Sequence, residues 1–127
     1  MYNRKTYLEL KEHIDWIVEN KPFIIVEGKE DKLSLEKLGL RNIATINKPL
    51  YKIVEEAIEE EQVLLLTDLD KKGKQLYSKL NHQLNQFGVK INNNFREFLF
   101  RKTKLRQIEG LWRYYLRQGR KLGILVD

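Results

Sequence analysis

The 127-residue chain contains no cysteine, and it is poor in methionine (one), proline, histidine and serine (two each). Without thiols there can be no disulfide, no thiolate zinc site and no cysteine nucleophile. Ser34 and Ser78 with His13 and His82 leave little material for a hydroxyl-nucleophile triad. Long apolar runs are missing as well: the longest are four residues, such as Val63–Leu66, which argues against a membrane span. The first twenty residues are polar and carry four carboxylates, unlike a secretory signal. The expectation is one cytoplasmic domain spanning residues 1–127, with no membrane partner, whose chemistry runs on carboxylates, lysines and arginines.

What is abundant is charge, 33% of the chain with a net +6, and it is unevenly spread. Residues 1–61 hold 10 basic and 13 acidic side chains, whereas residues 62–127 hold 14 basic and 5 acidic. Within 96–121 nine basic residues stand against Glu97 and Glu109. A basic half of this kind points to a polyanion partner; the plainer alternative is a solvated face that keeps the chain soluble.

The hydrophobic pattern alternates between helical and strand-like segments. Tyr7, Leu10, Ile14, Ile17 and Val18 predict a helix over about 4–19, stopped by Pro22. Three short apolar runs, at 23–26, 42–46 and 62–66, read as strands, and residues 89–91 as a fourth. Between them, helices are predicted at 30–38, from Pro49 through Ile58, and over 73–87. Asn94 and Glu97 have capping-box spacing for a short helix to about Arg101, and Leu105, Ile108, Leu111, Trp112 and Tyr115 fit the apolar face of another. Residues 122–126 read equally as an edge strand or a packed tail.

Strand–helix alternation implies an α/β fold: a mostly parallel, four-stranded sheet flanked by helices, with ligands beyond the carboxyl ends of the strands. That edge is where the carboxylates fall. The first strand runs into Glu27-Gly28-Lys29-Glu30-Asp31 and the third into Thr67-Asp68-Leu69-Asp70-Lys71-Lys72-Gly73. With strand order 2-1-3, Glu27 faces Asp68 and Asp70. Such a trio suits Mg²⁺, a hard cation that prefers oxygen ligands, with Glu27 placed to act as acid or base in phosphoryl transfer. An isolated Asp-x-Asp also reads as a turn former and helix N-cap. Lys29, Lys71 and Lys72 would meet substrate phosphates or simply solvate helix starts. Gly73 would open an anion site at a helix N-terminus or merely ease the turn. Aromatics interleave with Arg101, Lys102 and Arg106, a mixture that suits single-stranded nucleic acid, although their spacing is also that of a core.

The two motifs together, an apolar strand ending E-G-K-x-D and, some forty residues on, another ending D-x-D-x-x-G, resemble the signature of the Toprim family. The likeness covers the order of elements over about 20–110, leaving a helix at 4–19 and a basic helical segment at 95–121. In format the chain resembles small stand-alone Toprim proteins and the Toprim domain of the ribonuclease that matures five-S ribosomal RNA. The resemblance implies a Rossmann-like fold, Mg²⁺ (with Mn²⁺ as a substitute), Glu27 as general acid/base, and Asp68 and Asp70 as metal-binding aspartates. Asp31 matches a further acidic position of the ribonuclease and small-protein branches. Type IA topoisomerases of the family carry a third acid where this chain has Lys72, and its primases use a cysteine-ligated zinc module absent here. The expectation is therefore a metal-dependent nuclease, a phosphodiester hydrolase acting on structured RNA in preference to DNA. The alternatives are a non-catalytic nucleic-acid-binding module of a larger protein complex, or a nucleotidyl-transferase or primase-like activity.

Overall fold

The computed structural model describes residues 3–124. Asn3 caps the first helix, α1 (Arg4–Asn20), accepting from the Thr6 N–H at 3.2 Å, and Lys21 ends it in the left-handed conformation, φ 49°. Then follow β1 (Phe23–Val26), α2 (Lys29–Lys37), β2 (Ile43–Thr45), α3 (Leu50–Ile58), β3 (Val63–Leu66), α4 (Lys71–Gln86), α5 (Asn94–Lys102), a 3₁₀ turn (Ile108–Gly110) and α6 (Leu111–Lys121). Among the described residues no helix is long and apolar enough to cross a membrane.

The sheet is parallel in the order β2-β1-β3, with Val26 in register with Thr45 on one side and Leu66 on the other. Every residue of β1 and β3 is buried, which is why both read as continuous apolar runs rather than alternating ones. Their side chains nonetheless divide by parity. Ile24, Val26, Leu64 and Leu66 pack with α1, Leu35, α5, Ile108 and Leu111, whereas Phe23, Ile25, Val63 and Leu65 pack with Ile53, Val54 and Ala57 of α3 and Leu80 and Leu84 of α4. Two helical layers thus sandwich the sheet and leave its carboxyl edge open.

The sheet has three strands, not four. Gly88 turns the chain at φ 81°, and only three residues remain before the Asn92-Asn93-Asn94 turn, so 89–91 contributes a single bridge, Ile91 to Val63. The expected capping box at Asn94 and Glu97 does not form: Asn93 is the cap residue and its side chain makes no capping bond, Asn92 Oδ1 accepts from the Asn94 N–H at 3.0 Å, and Glu97 pairs with Arg101 at 3.2 Å. Nor does a helix begin at Leu105. Residues 103–107 form a non-helical strap, with extended backbone at both Thr103 and Gln107. At the other end, Leu122, Gly123 and Ile124 close α6 in a turn, the Ile124 N–H donating to the Gly119 carbonyl at 2.8 Å; residues 125–127 lie outside the described residues.

Candidate active site

Where β1 and β3 end side by side, the next residues of each must leave the sheet with their backbone N–H groups unpaired. Glu27 satisfies one of them: its Oε2 accepts from the Asp68 N–H at 2.8 Å. Asp68 in turn uses Oδ1 to accept from the Ile108 N–H at 2.8 Å. Asp70 caps α4, its Oδ1 accepting from the Gly73 N–H at 2.8 Å and its Oδ2 from the Gln107 amide at 3.0 Å. The capping role that an Asp-x-x-Gly spacing allows is thus realised at Asp70. A further bond runs from the Leu69 N–H to the Arg106 carbonyl at 2.7 Å. Residues 106–108 therefore run along the 68–70 loop and hold it at consecutive positions. These bonds draw the strap into extended form although Leu105 and Ile108 have helical spacing.

Asp31 lies at the start of α2, where its Oδ2 reaches back to the Gly28 N–H at 3.0 Å. It is only 7% exposed, and burial, with the nearby charges of Asp68, Glu27 and Glu109, pushes its carboxyl up to about 6. The consequence for stability has a definite sign. Below about pH 4 Asp31 is protonated in both states; from there to about pH 6 the unfolded chain ionises first, so folded stability falls as pH rises. Asp31→Asn keeps the acceptor for Gly28 and removes the buried charge. In metal-free buffer it should match wild type near pH 4 and be more stable by about 1–2 kcal/mol at pH 7, allowing for partial solvent screening. Urea midpoints across that range check this; an equal or lower midpoint for the variant at pH 7 would refute it.

Arg96 is a residue that the sequence places with the basic surface, and the structure corrects this. It is buried, 9% exposed; Nε donates to the Thr67 carbonyl at 3.3 Å and Nη2 to the Asp68 carbonyl at 2.8 Å, while the guanidinium lies 4.4 Å from the Tyr77 ring centroid. Burial lowers its pKa, and Tyr77, Glu97, Glu27 and Asp68 oppose that shift. Arg96 thus clamps from beneath the peptide that presents Asp68 to Glu27. Its partners are main-chain carbonyls, which leave no signature in the sequence.

The remaining expected site residues lie around this edge. Lys29, Lys71 and Lys72 are exposed at the first turns of α2 and α4, where a cation opposes the helix dipole and gains nothing locally. Gly73 is buried, and a Cβ there would sit 2.0 Å from the Asp68 carbonyl oxygen, so the close approach of α4 to the acidic loop requires glycine. Arg101, Lys102 and Arg106 are exposed and line one groove between the strap and α6. The aromatics are largely committed to packing. Phe95 and Phe98 are buried, Tyr115 stacks on Tyr7 with centroids 5.3 Å apart, and Phe100 lies under Lys74 and Arg106.

As a metal centre the edge is economical. Among the described residues no three His, Asp or Glu side chains are grouped as ligands of one ion. Mg²⁺ does not need such a cage: one or two carboxylates suffice, with water and substrate phosphates completing the shell. Glu27 and Asp68, linked through the Asp68 amide, each keep one carboxylate oxygen outside the hydrogen bonds of the described residues. This pair fits the ion. Both oxygens of Asp70 and one of Asp31 are already engaged, although each oxygen has a second lone pair.

The comparisons agree with this architecture. The sequence model of the Toprim-like family matches residues 24–99. The chain is 37% identical over 113 residues to UPF0292 protein MJ1624 of Methanocaldococcus jannaschii, covering 84% of this chain and 88% of that protein. It is 38% identical over 117 residues to UPF0292 protein PH1700 of Pyrococcus horikoshii, covering 89% of each. A solved structure of a protein from Aquifex aeolicus is similar with a TM-score of 0.67 and 32% identity, over 83% of this chain and 94% of that one. With the E-G-K-x-D and D-x-D-x-x-G strand ends in place on a parallel sheet, the chain belongs to the Toprim-like family and, within it, with the UPF0292 proteins.

Proposed function

We propose that this protein hydrolyses phosphodiester bonds of nucleic acid, RNA in preference to DNA, at the edge formed by Glu27 and Asp68. At the level of the family, Toprim-like domains imply metal-dependent nucleic-acid chemistry. The observation that carries the reading here is the Glu27–Asp68 contact. Two carboxylate-bearing strand ends are held together by the hydrogen bond from the Asp68 N–H to the Glu27 carboxylate, with an oxygen of each outside the hydrogen bonds of the described residues. A pure binding surface gains nothing from negative charge set against phosphates.

Mg²⁺, or Mn²⁺ in its place, would be held by Glu27 and Asp68, with Asp70 and Asp31 adjoining; bound there it neutralises charge on the phosphate and orients it. Glu27 handles the proton: as a water attacks the scissile phosphorus it gives a proton to the carboxylate. The phosphorus–oxygen bond to the leaving nucleotide breaks, and the leaving oxygen takes up a proton from solvent. Lys71 and Lys72 in the first turn of α4, which Asp70 caps, and Lys29 in the first turn of α2 would meet the substrate phosphates. Structured RNA is the substrate proposed first, because the two motifs resemble those of the ribonuclease that matures five-S ribosomal RNA.

The test uses wild-type protein with end-labelled single- and double-stranded RNA and DNA in Mg²⁺, Mn²⁺ or EDTA. The expected result is shortening of RNA that requires the divalent ion. Substrates that stay intact under both ions would instead favour a second reading, a binding module of a larger protein complex. One observation speaks for that module: Asp70 spends both carboxylate oxygens on Gly73 and Gln107.

A further inference from the structure

The strap and α6 enclose a groove of about 830 Å³ whose lining includes Arg101, Lys102, Lys104, Arg106 and Arg117. Among the described residues no carboxylate lines it, and Arg101 pairs with Glu97 at 3.2 Å. Lys104 and Arg117 are exposed, so the groove presents more positive charge than the 101–106 cluster alone. Sequence-independent affinity for nucleic acid comes from such charges meeting phosphates.

We infer that this groove seats a single strand of nucleic acid by its phosphates, is indifferent to its bases, and leads the backbone to the acidic edge. Indifference to the bases follows from the packing. Base stacking needs exposed ring faces, but Phe100 is covered by Lys74 at 3.9 Å and Arg106 at 5.2 Å, and Tyr115 faces Tyr7. That leaves the half-buried Tyr114 as the aromatic of the groove. The preference for one strand follows from shape. A duplex carries its phosphates on the outside of a wide cylinder and touches a concave groove only at the rim, and proteins that read it spread their contacts over many base pairs. Delivery follows from Gln107, which lines the groove and donates to Asp70 at 3.0 Å.

This deepens the hydrolase reading and rests on it only for the strand's fate, so binding is measured in EDTA. Fluorescence anisotropy with labelled 12-nucleotide oligo(U), oligo(C) and a mixed-sequence strand should give affinities within about fivefold of one another. A 12-base-pair duplex should bind more weakly. Lys104→Ala/Arg117→Ala should lower the slope of log affinity against log salt by about 1.4, equivalent to about 25-fold at 0.1 M salt. Lys52→Ala/Lys79→Ala, which removes two exposed lysines outside the groove, should stay within twofold of wild type.

An unchanged slope in the groove variant, a preference beyond tenfold among the single strands, or tighter binding of the duplex would each overturn the inference. Cleavage with Mg²⁺ separates the two claims. Groove binding without cleavage sustains the inference and sinks the hydrolase reading; cleavage without groove binding does the reverse.

Discussion

Glu27→Gln is expected to lower the single-turnover cleavage rate by about 10²–10⁴ while leaving nucleic-acid affinity within twofold. The amide keeps the size of the side chain, and its oxygen can still accept from the Asp68 N–H, so the loop stays in place. What it loses is the capacity to take a proton from water, together with one of the two charges proposed to hold the ion, so the divalent-ion concentration needed should rise as well. Asp68→Asn removes the other ligand charge and no proton acceptor. It preserves the acceptor for Ile108, and with the ligand charge gone metal binding should weaken and turnover should be lost with it. Asp70→Asn retains a good helix cap and should likewise lose activity without unfolding. Single-turnover cleavage and equilibrium binding on one substrate, for wild type and the three variants, decide the matter. If the protein were only a binding module, each substitution would remove negative charge beside the phosphates. Affinity would then hold or rise, with no rate to lose.

Gly73→Ala is expected to destabilise the protein by about 3–5 kcal/mol, which for a chain of this size lowers Tm by roughly 10–20 °C. Backbone conformation is not the reason, because Gly73 sits in the first turn of α4, where any residue can be helical. The reason is space: an added Cβ would lie 2.0 Å from the Asp68 carbonyl oxygen and 2.4 Å from its carbon. That carbonyl is also the acceptor for Arg96 Nη2 at 2.8 Å, and the same peptide segment carries the Glu27 and Ile108 contacts. Relieving the clash means displacing the acidic loop, with several buried bonds weakened at once, each costing about 1–3 kcal/mol if left unmade. Thermal melts and urea unfolding measure the loss. A variant within 1 kcal/mol of wild type would show that the loop yields easily, and the close approach of α4 would then have no structural weight.

Much of this was legible in the sequence, and the reasons are physical. The strands announced themselves because both sheet faces are buried, so Phe23–Val26 and Val63–Leu66 had to be apolar throughout. The order β2-β1-β3, expected from the strand ends, puts Glu27 beside Asp68 as anticipated. Failures occurred where tertiary hydrogen bonds overrode local pattern. Leu105 and Ile108 are spaced for a helix, yet Leu69 claims the Arg106 carbonyl and Asp68 the Ile108 N–H. Val89–Ile91 has strand composition but too little length between two turns. Arg96 reads like its basic neighbours, and its burial depends on two carbonyls 28 and 29 residues away. The aromatics of 95–115 had two readings, and packing claimed most of them.

The strap has a consequence for where this domain ends. The family match stops at residue 99, and the four carboxylates of the candidate site lie before it. A chain cut there would keep Glu27, Asp31, Asp68 and Asp70 and both signature motifs. It would also lose the Ile108 amide from Asp68, the Arg106 carbonyl from Leu69 and the Gln107 side chain from Asp70, together with Ile108 and Leu111 from the core. The segment that follows the family match is thus the one that sets the shape of the acidic loop within it. Recombining this domain with others at the motif boundary would carry over the acids without their geometry; the smallest transferable unit runs through α6.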